Sequence, residues 1–260
     1  MTSSLRSRWP RLDAIKDVTY YTGALKAPRI QASFARLDDT GRAQGWTFED
    51  YLAAVLEAEV TAREASGAEI RRKRAHFPSV KTIEDFTFDH QPHLRSDVQA
   101  ASRSTWIHNA ENMILLGPPG TGKTHISIGL GIAATRAGIP VLFDTAAGWI
   151  QSLTAAHNKG DLTKELRRIR RYKLIIIDEL GYLPIEPEAA NLFFQLISDR
   201  YEQSSILITS NLAFGSWSTI FHDETIATAI IDRLVHHAQV LTTKGTSYRI
   251  RHRQEQGTVN

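Results

Sequence analysis

Gly117-Pro118-Pro119-Gly120-Thr121-Gly122-Lys123-Thr124 reads G-x-x-x-x-G-K-T and runs into His125 at the head of a helical stretch. The chemistry open to such a run is nucleotide phosphate binding, with His125 counted among the contacting residues. Its glycines let successive backbone N–H groups turn toward β- and γ-phosphates, and the helix N-terminus adds partial positive charge. Lys123 brings a mobile cation, and the Thr124 hydroxyl can ligate Mg2+. Further on, the apolar run Leu174-Ile175-Ile176-Ile177 ends in Asp178-Glu179, a Walker B sequence. At the carboxyl end of a central parallel strand, Asp178 would hold Mg2+ through its water shell. Glu179 would orient and deprotonate the water that attacks the γ-phosphate, which points to hydrolysis rather than nucleotide storage.

Two further residues could complete this chemistry. Ser205-Ile206-Leu207-Ile208-Thr209-Ser210-Asn211 is another strand ending in small polar residues. The Asn211 amide both donates and accepts, so it could sense the γ-phosphate or the attacking water, although Asn after a strand also forms plain turns. Arg233 lies on an amphipathic stretch from Thr225 to His237. It is open to three readings: a solvated charge, a partner for Asp232 or Asp223, or a cation that reaches a γ-phosphate bound by an adjacent subunit.

These residues need a scaffold that brings them to one edge. Met113 to Leu116, Pro140 to Phe143, Leu174 to Ile177, Ile206 to Thr209 and Gln239 to Leu241 are short apolar runs separated by helix-length amphipathic stretches. Such alternation predicts a parallel five-stranded sheet flanked by helices, because parallel neighbours need long crossovers. The front of the chain reads differently. Residues Ala24 to Leu37 are weakly amphipathic, and Thr40-Gly41 with Gly45 reads as a break. Thr47 with Asp50 then forms an acidic capping box, and Phe48, Tyr51, Leu52, Val55 and Leu56 share one face of a helix expected to reach about Arg74. Pro78 follows, which places a domain boundary between about Ala75 and Lys81. The first ten residues read as a frayed tail.

Composition bounds the partners. The 260 residues carry 31 Lys plus Arg against 28 Asp plus Glu, a formal charge of +3 that permits a nucleic-acid partner without demanding one. The absence of cysteine excludes disulfides, thiolate zinc sites and iron–sulfur clusters. No stretch approaches the roughly 20 apolar residues of a membrane span, and MTSSLRSRWP lacks the apolar core of a secretory signal, so a cytoplasmic protein without membrane contact is expected. Pro92 between His90 and His93 spoils the closest histidine pair as metal ligands. Arg167-Arg168-Ile169-Arg170-Arg171 is either a solvated helix end or a phosphate-tracking surface, and Arg71 to Arg74 takes the same two readings.

The segments GPPGTGKT, LIIIDELGYLP, ITSN and AIIDRLVHHAQVL resemble the AAA+ ATPases of the IstB and DnaC group. IDELGYLP with DRLVHHAQVL is most similar to the IstB-like transposition helpers, as are LKAPRIQASFARL, FEDYLAAVLEAEVTAREA and RRKRAHFPSVKTIEDFTFDHQP nearer the front. The resemblance implies a small all-helical N-terminal domain for partner contact and assembly (1–75), an AAA+ P-loop domain (76–250) and a tail (251–260). No separate helical lid is implied, in keeping with the short stretch after Arg233. The resemblance makes Arg233 an inter-subunit arginine finger and Arg249 a second sensor, and it carries Ile83 to Phe88 past the adenine. It also gives Ala147 to Arg171 an extra, DNA-facing helix, with Lys159, Lys164, Arg167, Arg168, Arg170 and Arg171 as its cations. The implied function is ATP- and Mg2+-dependent assembly on double-stranded DNA as a self-oligomer with composite ATP sites, in aid of a cognate transposase. A replicative helicase loader is the alternative, with a metabolic kinase or a non-hydrolysing nucleotide-gated module further off.

Overall fold

The computed structural model describes residues 14–247, so the frayed tail expected over the first ten residues and the second sensor expected at Arg249 lie outside the described part. Its contacts divide the chain into two compact units between Gly67 and Ala68.

The first unit is helical. Helices α1 (Ala14–Ala24), α2 (Pro28–Gln44) and most of α3 (Phe48–Arg74) build it. Pro28 opens α2 where a missing N–H costs nothing, and Gly45 closes it in the left-handed region at φ 68°. The helix runs straight through Thr40-Gly41, and of the expected break only Gly45 ends it. Gly41 serves packing, since a Cβ on it would stand 3.2 Å from the Trp46 ring. The Thr47–Asp50 box forms as expected, with Thr47 N–H donating to Asp50 Oδ2 (3.0 Å) and Asp50 N–H to Thr47 Oγ1 (3.1 Å). Of the face expected on α3, Val55 is buried and Tyr51 half-buried, while Phe48, Leu52 and Leu56 are exposed. Glu59, buried on α3, accepts the N–H groups of Arg29 and Ile30 at the start of α2 (2.8 and 3.3 Å) and pairs with Arg63 (2.6 Å). Arg63 in turn donates to the Leu25 and Lys26 carbonyls (3.2 and 2.6 Å), which fastens the α1–α2 turn to α3.

The second unit alternates as the apolar runs predict. After α4 (Arg95–Ala101) and α5 (Thr105–His108) come β1 (Asn112–Leu116), α6 (Lys123–Arg136), β2 (Val141–Thr145), α7 (Ala146–Asn158), α8 (Leu162–Ile169), β3 (Leu174–Leu180), α9 (Pro187–Arg200), β4 (Ser205–Ser210), α10 (Ser218–Phe221), α11 (Glu224–Val235) and β5 (Ala238–Thr242). All pairings are parallel, in the order β2-β3-β4-β1-β5. The order puts the ends of β1, β3 and β4 side by side, which is where the phosphate loop, the two carboxylates and the ITSN segment belong. Strand side chains divide by parity between two cores. Ile114, Ile175, Ile177 and Ile208 face α7, α9 and α11, whereas Met113, Leu115, Ile176 and Leu207 face α4, α5 and α6.

Three details place the functional elements. The stretch Ala147 to Arg171, where an extra helix is expected, holds two helices, α7 and α8, separated at Gly160 in the left-handed region (φ 71°). Buried Asn112 donates from Nδ2 to Leu234 O (3.0 Å) and accepts Ile206 N–H at Oδ1 (2.9 Å), so it pins the end of α11 to the sheet. Finally, the stretch leaving α3 runs beside β2, where Phe143 N–H donates to Ala75 O (2.8 Å) and Phe77 packs on Phe143. Among the described residues no helix is long and apolar enough to cross a membrane.

Candidate functional site

The phosphate loop joins β1 directly to α6. Gly122 caps α6 in the left-handed region at φ 97°, and a Cβ there would stand 2.5 Å from the Phe86 ring, so only glycine suits it. Lys123 is buried, and its Nζ donates to the Gly117 and Pro118 carbonyls (2.6 and 2.8 Å) across the mouth of the loop. Thr124 Oγ1 lies 3.2 Å from Asp178 Oδ1. A hydroxyl and a carboxylate at this separation are the oxygen donors that suit a hard divalent cation such as Mg2+.

The register between β3 and β4 explains how consecutive carboxylates take separate tasks. Ile177 pairs with Ile208 and Leu180 with Ser210, so β3 spends one residue more than β4 across this interval. The resulting bulge leaves Glu179 at φ 63°, in the left-handed region, and exposed, while Asp178 is buried. Thr209, opposite the bulge, serves both. Its hydroxyl lies 2.5 Å from Asp178 Oδ1, to which it donates, and it accepts Glu179 N–H (2.9 Å). In the sequence Thr209 is only the last residue of an apolar run, and the signal that marks it is its place one residue before the end of β4, beside the Walker B strand.

A cavity of about 290 Å³ opens over these groups. Gly120, Thr121, Gly122, Lys123, Thr124 and His125 form its floor, Glu179 and Thr209 one side, and Lys81, Phe86, His90 and Gln91 another. His125 is held by the Thr82 carbonyl (2.9 Å from Nε2) and stacks edge-on to Phe86. The segment expected beside a base therefore forms a wall of the phosphate cavity, with Phe86 packed on both Gly122 and His125.

Asn211 and Arg233 do not line that cavity. The Asn211 Oδ1 is buried without a hydrogen-bond partner among the described residues, against Gly181. Arg233 is half-buried and folded back on its own helix. Its guanidinium lies over the Phe194 ring at 4.7 Å and donates to Ala229 O (3.1 Å).

The six basic residues divide. Lys159, Lys164, Arg167, Arg168 and Arg171 line one surface groove between α7 and α8. Arg168 is paired with Glu165 (2.7 Å) and holds that carboxyl below its ordinary range. Arg170 points elsewhere, in a forked ion pair with Asp199 of α9. Beside that pair lies Arg200, buried, its guanidinium donating to the carbonyls of Ile169, Tyr172 and Ser205 (3.4, 3.0 and 3.0 Å).

Comparison with known proteins bears on the family and the fold. A family model described as IstB-like ATP binding protein matches residues 21–256. An insertion sequence IS21 putative ATP-binding protein of Pseudomonas aeruginosa is 41% identical over 82% of this chain and 80% of its own. An IS5376 putative ATP-binding protein of Geobacillus stearothermophilus is 35% identical over 91% and 94%. Among solved structures, AMPPCP-bound DnaA from Aquifex aeolicus has a TM-score of 0.55 at 18% identity, covering 70% of this chain and 56% of that one. The DnaC helicase loader has 0.52 at 17%, covering 67% and 99%. These likenesses carry the fold, an AAA+ P-loop architecture. With the family match spanning nearly the whole chain, this protein belongs to the IstB-like ATP binding protein family.

Proposed function

We propose that the chain is an ATP-hydrolysing, DNA-binding helper of an insertion-sequence transposase. One observation carries the hydrolytic part: Thr124, Asp178 and Thr209 form a hydrogen-bonded row beneath the phosphate loop, while the bulge turns Glu179 out to the open side of the same cavity. The bound Mg2+ would be held by Thr124 and Asp178 and would neutralise phosphate charge. Lys123 exchanges its loop carbonyls for phosphate oxygens, and Glu179 takes the proton of the attacking water.

The remaining parts rest on other residues. Arg233, kept out of its own phosphate cavity, acts across a subunit interface, so that the active species is an oligomer with composite sites. The groove of Lys159, Lys164, Arg167, Arg168 and Arg171 takes duplex DNA phosphates without base reading. The helical front unit makes the transposase contact. Relatives named for insertion sequences favour this reading over a helicase loader.

Steady-state ATP hydrolysis with no DNA, long duplex or single strands, with particle size followed in parallel, tests it. Stimulation and large assemblies on duplex are expected. A preference for single strands would transfer the assignment to a helicase loader, and Glu179→Gln protein with undiminished turnover would remove Glu179 from its role.

A further inference from the structure

Residues 243–247 leave β5 and pass back across the phosphate loop as a strap. Thr243 N–H donates to Leu116 O at the end of β1 (2.8 Å), and the buried Thr243 Oγ1 lies 2.6 Å from Thr121 Oγ1. The pair is tied down on both sides: the Thr121 hydroxyl reaches Pro118 O (2.7 Å) in the loop, and the Thr243 hydroxyl lies 3.2 Å from Leu116 O at the end of β1. Pro118 O also accepts from Lys123 Nζ (2.8 Å). Thr121, which the strap touches, and the phosphate-binding lysine therefore meet on one carbonyl. The packing is equally close, because a Cβ on Gly117 would collide with Thr243 and one on Gly120 with Ser247.

The strap has a second anchor on the opposite wall. Gln91, 3% exposed, spends both ends of its amide on one strap residue: Nε2 donates to Lys244 O (2.6 Å), and Oε1 accepts Lys244 N–H (3.0 Å). Gln91 belongs to the wall formed with Phe86 and His90, and Thr246 lines the same cavity from the strap. A ligand filling the cavity thus touches the loop, the wall and the strap, and each is hydrogen-bonded to the next.

We propose that residues 243–247 are a nucleotide-responsive latch, with Thr243 and Gln91 as positioning residues that set how long a nucleotide stays bound. When Lys123 leaves the Pro118 carbonyl for phosphate oxygens, Thr121 remains as the donor that keeps the loop in shape, and Thr243 holds Thr121 in that role. The proposal rests on the cavity being a nucleotide site, and the test separates the two.

The experiment uses the full chain, a fluorescent ADP analogue with Mg2+, and limited trypsin cleavage after Lys244, an exposed residue, read by mass. In the wild-type protein, nucleotide slows cleavage at Lys244 several-fold. Thr243→Val and Gln91→Leu each speed release of the ADP analogue and raise its Kd by about tenfold, the scale of one buried hydrogen bond left unmade. Thr243→Ser restores wild-type release, which a purely steric role would not produce. Wild-type release rates in both Thr243→Val and Gln91→Leu would overturn the latch. So would nucleotide binding that leaves cleavage at Lys244 unchanged, an arm that needs no substitution. A wild-type protein that binds no nucleotide would overturn the site itself, and the latch with it.

Discussion

The Thr209 hydroxyl lies 2.5 Å from Asp178 Oδ1 and accepts the N–H of the next residue, Glu179. One β4 side chain therefore sets both the metal-side carboxylate and the backbone of the water-side one. Thr209→Val keeps the shape and deletes the donor, leaving a buried carboxylate oxygen short of a partner, a loss of roughly 1–3 kcal/mol. We expect kcat to fall about 10- to 100-fold with nucleotide affinity changed less, and Thr209→Ser to recover most of it. Steady-state turnover beside equilibrium nucleotide binding checks the split.

Arg233 rests on Phe194 of its own chain and outside its own phosphate cavity. If it serves a neighbour, Arg233→Ala and Glu179→Gln proteins, each nearly inactive alone, recover part of the turnover when mixed, because some interfaces then hold an intact Glu179 and an intact Arg233. Mixtures no more active than their components would place Arg233 outside trans catalysis.

The basic cluster makes a prediction that separates its members. Arg167→Ala or Arg171→Ala should weaken duplex binding at every sequence alike and lower the slope of log affinity against log salt by about one each. Arg170→Ala should leave that slope unchanged, since Arg170 is engaged with Asp199. Salt titrations of binding by fluorescence anisotropy distinguish the two behaviours.

Glu59 gives the helical front unit a pH dependence. The hydrogen bond from Arg63, followed by those from Arg29 and Ile30, holds its carboxyl below the ordinary 4.5. A depressed carboxyl stabilises fully above its unfolded value and loses that contribution as pH falls through the folded one. Thermal melts should thus show the wild-type protein above Glu59→Gln at neutral pH, with the gap closing as pH drops below about 4.5. A gap constant down to pH 3 would contradict it.

Much of this was readable from residue order. The five apolar runs became five parallel strands, because each is flanked by helix-length crossovers that leave a parallel sheet as the simple solution. Lys123, Thr124, Asp178 and Glu179 converge because the end of a strand is a fixed place. What escaped was set by geometry between distant segments. Thr209 matters only through a one-residue bulge on the neighbouring strand, and Gln91 only through Lys244, far along the chain. The break expected at Thr40-Gly41 with Gly45 shows the same limit in miniature: Gly41 stays inside the helix, where a Cβ would crowd the Trp46 ring, and Gly45 alone ends it. Arg168 and Arg170 looked alike in sequence, and only their partners Glu165 and Asp199 set them apart.

The short run by which Ala75 meets Phe143 has a consequence for anyone who would shorten this protein. β2 is the outermost strand on its side of the sheet, and Ala75 and Phe77 shelter it there. A chain trimmed to begin after Lys81 would keep every phosphate-binding residue and yet bare an apolar strand margin. Bared margins of that kind pair with one another, so the shortened protein would self-associate through its sheet, an aggregation easily mistaken for functional assembly.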